Sequence, residues 1–332
     1  MKSEWNDKIF NINDQTREKV ALEVFRYQYD RTPVYHAYVD ALRIDPVSVD
    51  SIDRIPFLPI RFFKTHEVKA GAFEPELLFE SSGTTGSINS RHLLKSAAIY
   101  EESFTRGFNL FYGPADNWCV IGLLPSYLER QHSSLVYMVN ELVRQSGHPD
   151  SGFYLNEYDK LSAVLQRLEQ QGQKTLLIGV TFGLLDFAEL AKLPPLKHTT
   201  VMETGGMKGR RREMVRQEVH DILSAVFHTT AIHSEYGMTE LLSQAYSSGN
   251  GIFHCPPWMQ IRLRDEADPL SAFGPSPTGP ATGAVNVIDL ANLHSCSFIA
   301  TDDAARLYPD GSFEVLGRLD NSDIRGCSLM AV

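Results

Sequence analysis

Hydrophobic and polar positions fall into three successive patterns along the chain. Between Arg17 and Tyr29, apolar positions recur at helical spacing and place Val20, Val24 and Tyr27 on one face. Ile55–Lys64 (IPFLPIRFFK) instead carries two prolines, which oppose a helix because each lacks an amide hydrogen and fixes its own backbone angle. Residues 1–75 are therefore expected to form a helical segment that wraps onto the main body. From Leu77 to Tyr246, short apolar runs alternate with longer amphipathic ones, the pattern of repeated strand–helix–strand units. Trp118–Leu124, Thr175–Val180, Thr199–Met202 and Thr230–His233 read as strands. Arg212–Phe227 reads as a helix with Val215, Val219, Ile222, Leu223 and Val226 on its buried face. After Gly251 the pattern turns to prolines and alternating strands such as Ala284–Ile288, with a hairpin turning at Pro309-Asp310-Gly311. The expected fold is α/β: mostly parallel sheet layers flanked by helices, with a β-rich C-terminal section. Residues 1–75, 76–250 and 251–332 are its expected parts within one compact unit.

Composition narrows the function classes. With 31 basic against 41 acidic side chains the formal charge is −10, which argues against nucleic acid or an anionic membrane as the general partner. Cys119, Cys255, Cys296 and Cys327 form no closely spaced pair, so neither a zinc cage nor a disulfide framework is indicated and a reducing compartment fits. The N-terminal stretch has no apolar core, and no apolar run reaches the roughly 18 residues of a membrane span. The expected location is the cytoplasm.

Three local motifs carry candidate chemistry. Ser81-Ser82-Gly83-Thr84-Thr85-Gly86 follows the strand candidate Leu77–Phe79. Its glycines let the backbone curl and its hydroxyls supply donors, as a phosphate cradle requires. No Gly-Lys-Ser/Thr follows, so it is not a Walker loop, and a plain polar turn is the other reading. Tyr236-Gly237-Met238-Thr239-Glu240 offers a flat ring for a base, a hydroxyl for phosphate and a carboxylate for magnesium within five residues. A strand-ending turn with a buried tyrosine would look the same. Thr301-Asp302-Asp303 and Gly317-Arg318-Leu319-Asp320 flank the hairpin turn, which would bring Asp303 and Arg318 together, either for ribose and phosphate or as a surface ion pair.

In this order the motifs resemble the adenylate-forming superfamily of acyl-CoA synthetases and their relatives. SSGTTG is similar to its phosphate loop, YGMTE to its adenine and magnesium motif, and TDD with GRLD to its ribose and hinge motifs. Gly205-Gly206 resembles the glycine pair that lies against the adenine. Within the superfamily, IPFLPIRFFK, LLPSYLER, TGGMKGRRRE, SEYGMTELLSQAY and ATDDAARLYPDGSFEVLGRLDNSDIRGCSL look like the acyl-protein synthetases of the bacterial bioluminescence fatty-acid reductase. The resemblance implies ATP and Mg2+ as cofactors and a fatty acid activated as acyl-AMP. The acyl group would pass to a cysteine thiol and onward to an acyl-reductase or acyl-carrier partner. By the same resemblance Thr239, Glu240 and Arg318 act on the phosphates and metal, Glu240 being the metal ligand. Ser81 to Gly86, Gly205, Gly206, Tyr236, Gly237 and Asp303 hold the nucleotide.

The chain departs from the superfamily in two places. No lysine follows the phosphate loop closely, which leaves Arg91 or His92 to supply positive charge there. The chain ends at Val332, soon after Asp320, so the mobile C-terminal domain of larger relatives is expected to be missing. Cys327, beside Arg325, then becomes the candidate acyl acceptor, since a neighbouring cation favours the nucleophilic thiolate. The lone cysteine could equally be a small core filler. Two rivals stay open: a ligase that delivers the acyl group to coenzyme A or a carrier protein, and a degenerate nucleotide-binding scaffold subunit of a reductase. The sequence also leaves room for a homo-oligomer.

Overall fold

The apolar runs that read as strands are buried along almost their whole length, which suits a parallel sheet covered by helices on both faces. The computed structural model describes residues 4–81, 88–124, 132–205, 214–265, 268 and 270–319. In it, a six-stranded sheet runs in the order Gly152–Phe153, Cys119–Leu123, Thr175–Gly179, Thr199–Glu203, His233–Tyr236, Ala245–Ser247. All neighbours are parallel except the last pair, which is antiparallel. Chain growth reverses at Cys119–Leu123: Gly152–Phe153 joins on one side and every later strand on the other. Helices Tyr158–Gln171, Thr181–Leu190 and Arg216–Phe227 bring Leu161, Leu165, Leu184, Phe187, Leu223 and Phe227 onto the face of Ile121, Leu177 and Val201. Helix Ser134–Ser146 covers the other face, where Val139 and Phe153 close against Gly122.

Two expectations shift. The strand expected at Thr230–His233 lies at His233–Tyr236, because it pairs Ser234 with Glu203 and Glu235 with Tyr246. Tyr236 is thus the last strand residue, not part of the loop. In helix Arg216–Phe227 the buried face is Val219, His220, Leu223 and Phe227, a ridge of fourfold spacing. Val215 and Ile222 are exposed.

The chain divides into two compact units, Pro75–Pro256 and Met1–Glu74 together with Pro257–Val332. The flanking segments, expected as separate parts of a single unit, combine because each lacks what the other supplies. Met259–Arg264, Ala281–Asp289, Phe298–Leu307 and Phe313–Arg318 form an antiparallel sheet, and Leu58–Pro59 adds to it in parallel through Leu58–Ile299 and Pro59–Ala300. Helix Arg17–Arg31 covers that sheet, with Phe25 and Tyr35 packed on Phe298. Gln28 is completely buried. Its amide donates to the carbonyls of Asn292 and Leu293 at 2.9 and 3.0 Å, and its carbonyl accepts the Ser297 N–H at 2.9 Å.

Gln28→Leu keeps the volume but strands those backbone groups away from water. We expect a loss of about 3 kcal/mol in urea unfolding. A loss within about 0.5 kcal/mol would mean that the helix is not held by this amide.

Candidate active site

The phosphate-loop motif begins at Ser81, at the end of the strand Leu77–Glu80. Leu77–Glu80 pairs antiparallel with Arg91–Leu94, and the pairing closes where Ser81 N–H donates to the Ser90 carbonyl at 3.1 Å and Ser81 Oγ accepts the Ser90 N–H at 2.9 Å. Ser81 is therefore placed, whereas Ser82, Gly83, Thr84, Thr85 and Gly86 lie outside the described residues. His92, on the returning strand, is only 1% exposed. Its Nδ1 lies 2.8 Å from the Thr239 carbonyl oxygen, and because a carbonyl only accepts, Nδ1 carries the hydrogen. His92 thus ties this strand pair to the second motif and is not a solvent-facing cation. Arg91, opposite Glu80, is exposed.

The second motif begins at a strand end. Tyr236 is buried and meets Phe253 edge-on at 6.0 Å. The chain then turns, with the Leu241 N–H donating to the Met238 carbonyl at 3.1 Å. A Cβ at Gly237 would meet Oε1 of Glu235, so a larger residue there would have to displace that carboxyl. Glu240, 5% exposed, closes the turn next to Thr239. On the neighbouring strand, Gly205 adopts the left-handed region at φ 72° that favours glycine. Gly205 and Tyr236 each lie two residues beyond the Glu203–Ser234 pair, so both belong to the carboxyl edge of the parallel strands, where open α/β sheets bind ligands. Gly206 lies outside the described residues.

The third motif belongs to the other compact unit. Phe298–Leu307 and Phe313–Arg318 form the expected hairpin, and Asp303 and Arg318 are direct cross-strand partners. Arg318 Nε lies 3.8 Å from Asp303 Oδ1, with side chains 66% and 14% exposed. Cys327 lies outside the described residues.

Among the described residues, no group of three or more His, Cys, Asp or Glu side chains could hold a metal ion. A magnesium ion carried on nucleotide phosphates needs only one or two protein carboxylates, and Glu240 beside Thr239 fits that smaller demand.

A family model described as acyl-protein synthetase, LuxE, matches residues 6–331. The chain belongs to the LuxE acyl-protein synthetase family. Its members are enzymes of the ligase class, and the resemblance drawn from the motifs is borne out. A long-chain-fatty-acid–luciferin-component ligase of Photorhabdus luminescens is 33% identical over 78 residues, a match spanning 23% of this chain and 66% of that relative. Among solved structures, a 2-hydroxyisobutyryl-CoA ligase in a postadenylation state aligns with 95% of this chain and 70% of its own, at TM-score 0.63 and 12% identity. ATP-bound MatB from Rhodopseudomonas palustris aligns with 74% of this chain and 49% of its own, at TM-score 0.52 and 17% identity. These likenesses show the α/β fold expected from the chain's pattern, in the form shared by adenylate-forming enzymes that the motif resemblance implied.

Motif reading missed two residues of this LuxE site. His92 was visible only as a possible charge, because its partner is a backbone carbonyl 147 positions away. Glu203 ends an apolar strand and belongs to no motif, yet it accepts the Gly205 N–H at 2.7 Å. The two carboxyls of this edge, Glu203 buried and Glu235 half-buried, behave oppositely. Burial pushes Glu203 upward, but its hydrogen bonds from His220, Ser234 and Gly205 and the charge of Arg216 hold it at about 2. Glu235 has no such donors, and burial, with the nearby Glu203 charge, pushes it up to about 8.

Between its ordinary value of 4.5 and about 8, Glu235 is protonated in the folded chain and ionised in the unfolded one. The unfolded state then holds fewer protons, so stability falls as pH rises through that window. Glu235→Gln should gain stability relative to wild type from about pH 5 to about pH 8 in urea unfolding. A difference that stays constant with pH would remove this assignment.

Proposed function

We propose that this LuxE-family chain activates a carboxylic acid with ATP and then passes the acyl group to a cysteine thiol. A fatty acid is the favoured substrate, in keeping with the long-chain-fatty-acid ligase of Photorhabdus luminescens that the chain resembles. The observation that carries the reading is the His92–Thr239 hydrogen bond, which seats the base of the SSGTTG loop against the YGMTE turn. The strand that follows one motif thereby meets the turn of the other, which supports a nucleotide contacted by both.

In the first step a carboxylate oxygen bonds to the α-phosphorus. The bond from that phosphorus to the bridging oxygen breaks, and pyrophosphate leaves with the electron pair. Charge developing on the phosphate oxygens would be met by backbone and hydroxyl donors of Ser81 to Gly86, by the Thr239 hydroxyl and by Arg318. Magnesium, held by Glu240, would supply further neutralisation of the phosphate charge. Tyr236 and the Gly205-Gly206 turn would bound the base, and Asp303 would accept hydrogen bonds from the ribose hydroxyls.

In the second step a thiolate attacks the acyl carbon and AMP departs. Cys119 and Cys296 are unsuited to this, since both are completely buried and burial raises their thiols to about 11 and about 12. Cys327 is the proposed acceptor. A partner reductase or carrier would take the acyl group onward, and the cytoplasm is the proposed location.

Carboxylate-dependent exchange of labelled pyrophosphate into ATP tests the first step. Glu240→Gln should lower that exchange at least about tenfold by weakening metal binding. Full exchange in this variant would remove Glu240 from the site, and no exchange in the wild type with any of a panel of carboxylic acids would favour a scaffold role.

Labelling with a radioactive acyl chain tests the second step. Cys327→Ala should abolish labelling of the protein while leaving pyrophosphate exchange intact. Undiminished labelling would move the acceptor elsewhere, and labelled coenzyme A would establish the rival ligase reading.

A further inference from the structure

Glu203 is the last residue of the strand Thr199–Glu203 and is 4% exposed. Its two oxygens face different groups. Oε2 accepts the Gly205 N–H at 2.7 Å and the Thr181 hydroxyl at 3.1 Å. Oε1 faces Arg216 Nε at 3.4 Å and His220 Nε2 at 3.6 Å. The Gly205 turn is held from its other side as well. The Thr181 N–H donates to the Gly205 carbonyl at 2.9 Å, and the Thr204 N–H donates to the Gly179 carbonyl at 3.1 Å.

The turn therefore lies fastened over the end of Thr175–Gly179, one strand from Cys119–Leu123, where the sheet reverses. Such reversal points are where open α/β sheets take their ligands. A buried charge is an expensive way to satisfy one backbone amide, because the carboxylate must be stripped of water. A neutral acceptor would suffice for the fold. What the charge adds is stiffness: an ionised acceptor binds the amide and hydroxyl more tightly than a neutral one, and Arg216 and His220 fix its direction.

We propose that Glu203 is a positioning residue, acting through the Gly205 turn on nucleotide binding without touching the nucleotide. Thr181 is its working partner, its hydroxyl donating to the Glu203 carboxylate and its N–H to the Gly205 carbonyl. The inference rests on the nucleotide reading given above and adds two residues that no motif marks.

The test is steady-state pyrophosphate exchange with ATP and carboxylate varied separately, on the full chain, alongside thermal unfolding. Glu203→Gln and Thr181→Val should each raise the KM for ATP about tenfold, with the KM for the carboxylate and kcat within about threefold of wild type. Thr181→Ser, which retains the hydroxyl, should keep the wild-type KM for ATP. An unchanged KM for ATP in a folded Thr181→Val protein would overturn the proposal, and so would parallel changes in both KM values. Should Glu203→Gln fail to fold, the Thr181 pair decides, since both replacements keep nearly the native volume. A wild-type protein without exchange would sink the nucleotide reading itself, whereas exchange with an unmoved KM for ATP would sink the positioning role alone.

Discussion

Donors converging on the buried carboxylate of Glu203 hold three successive strand ends in register. Thr181 follows Thr175–Gly179, Gly205 follows Thr199–Glu203, and Ser234 lies in His233–Tyr236, with its hydroxyl 3.3 Å from the His220 nitrogen that faces the same carboxylate. Arg216 and His220 bring the helix Arg216–Phe227 into the same group. A parallel sheet fixes its strands along their length but leaves the loops at their carboxyl ends free to diverge. Here one ionised side chain converts separate loop starts into a common platform. Its desolvation is offset only because every donor is in place, so the network acts as a unit in which losing one member exposes the rest.

The same edge keeps a second carboxyl in the opposite charge state. Glu203 shares a face with its register partner Ser234, whereas Glu235 shares a face with Tyr246, among aromatic side chains and without a cation. One is surrounded by donors and stays ionised; the other lacks them, and desolvation together with the nearby Glu203 charge pushes it up to about 8. For a site proposed to receive a polyanionic nucleotide, the difference matters. The charge of Glu203 is neutralised by Arg216 inside the protein, and Glu235 carries none, so neither projects a negative field toward the strand ends. Glutamates in this edge are thus compatible with phosphate binding because their surroundings, not their number, set the local charge.

The sequence was most legible where structure is local. Thr175–Val180 and Thr199–Met202 differ from the observed strands by a single residue each, because a fully buried parallel strand must be a short apolar run. His233–Tyr236 was displaced because its four residues are histidine, serine, glutamate and tyrosine, which carry no apolar signal. Its burial comes from partners supplied by other segments. The hairpin turn announced the Asp303–Arg318 pairing, because a local turn fixes which residues face each other across it. His92, Glu203 and Gln28 were illegible for one shared reason. Each is a polar residue made tolerable in the interior by groups at positions that no local pattern connects to it, such as Asn292 and Leu293 for Gln28.

Thiol chemistry then constrains where the second half of the reaction can occur. A thiol attacks as the thiolate, and the two fully buried cysteines, Cys119 and Cys296, are held in the neutral form by the burial that makes them good core residues. An acyl adenylate formed at the carboxyl edge could not reach them without opening the core around them. The acceptor must instead come from a segment outside those cores, and its cation must be local, because the chain as a whole is acidic. Arg325 beside Cys327 meets that condition in sequence. Cys255, preceded by His254 and followed by Pro256 and Pro257, has no lysine or arginine within six positions on either side, so its only neighbouring base is an imidazole rather than a permanent cation. On the proposed reading, activation would belong to the carboxyl edge of the sheet and acyl acceptance to Cys327, which lies far from that edge in sequence.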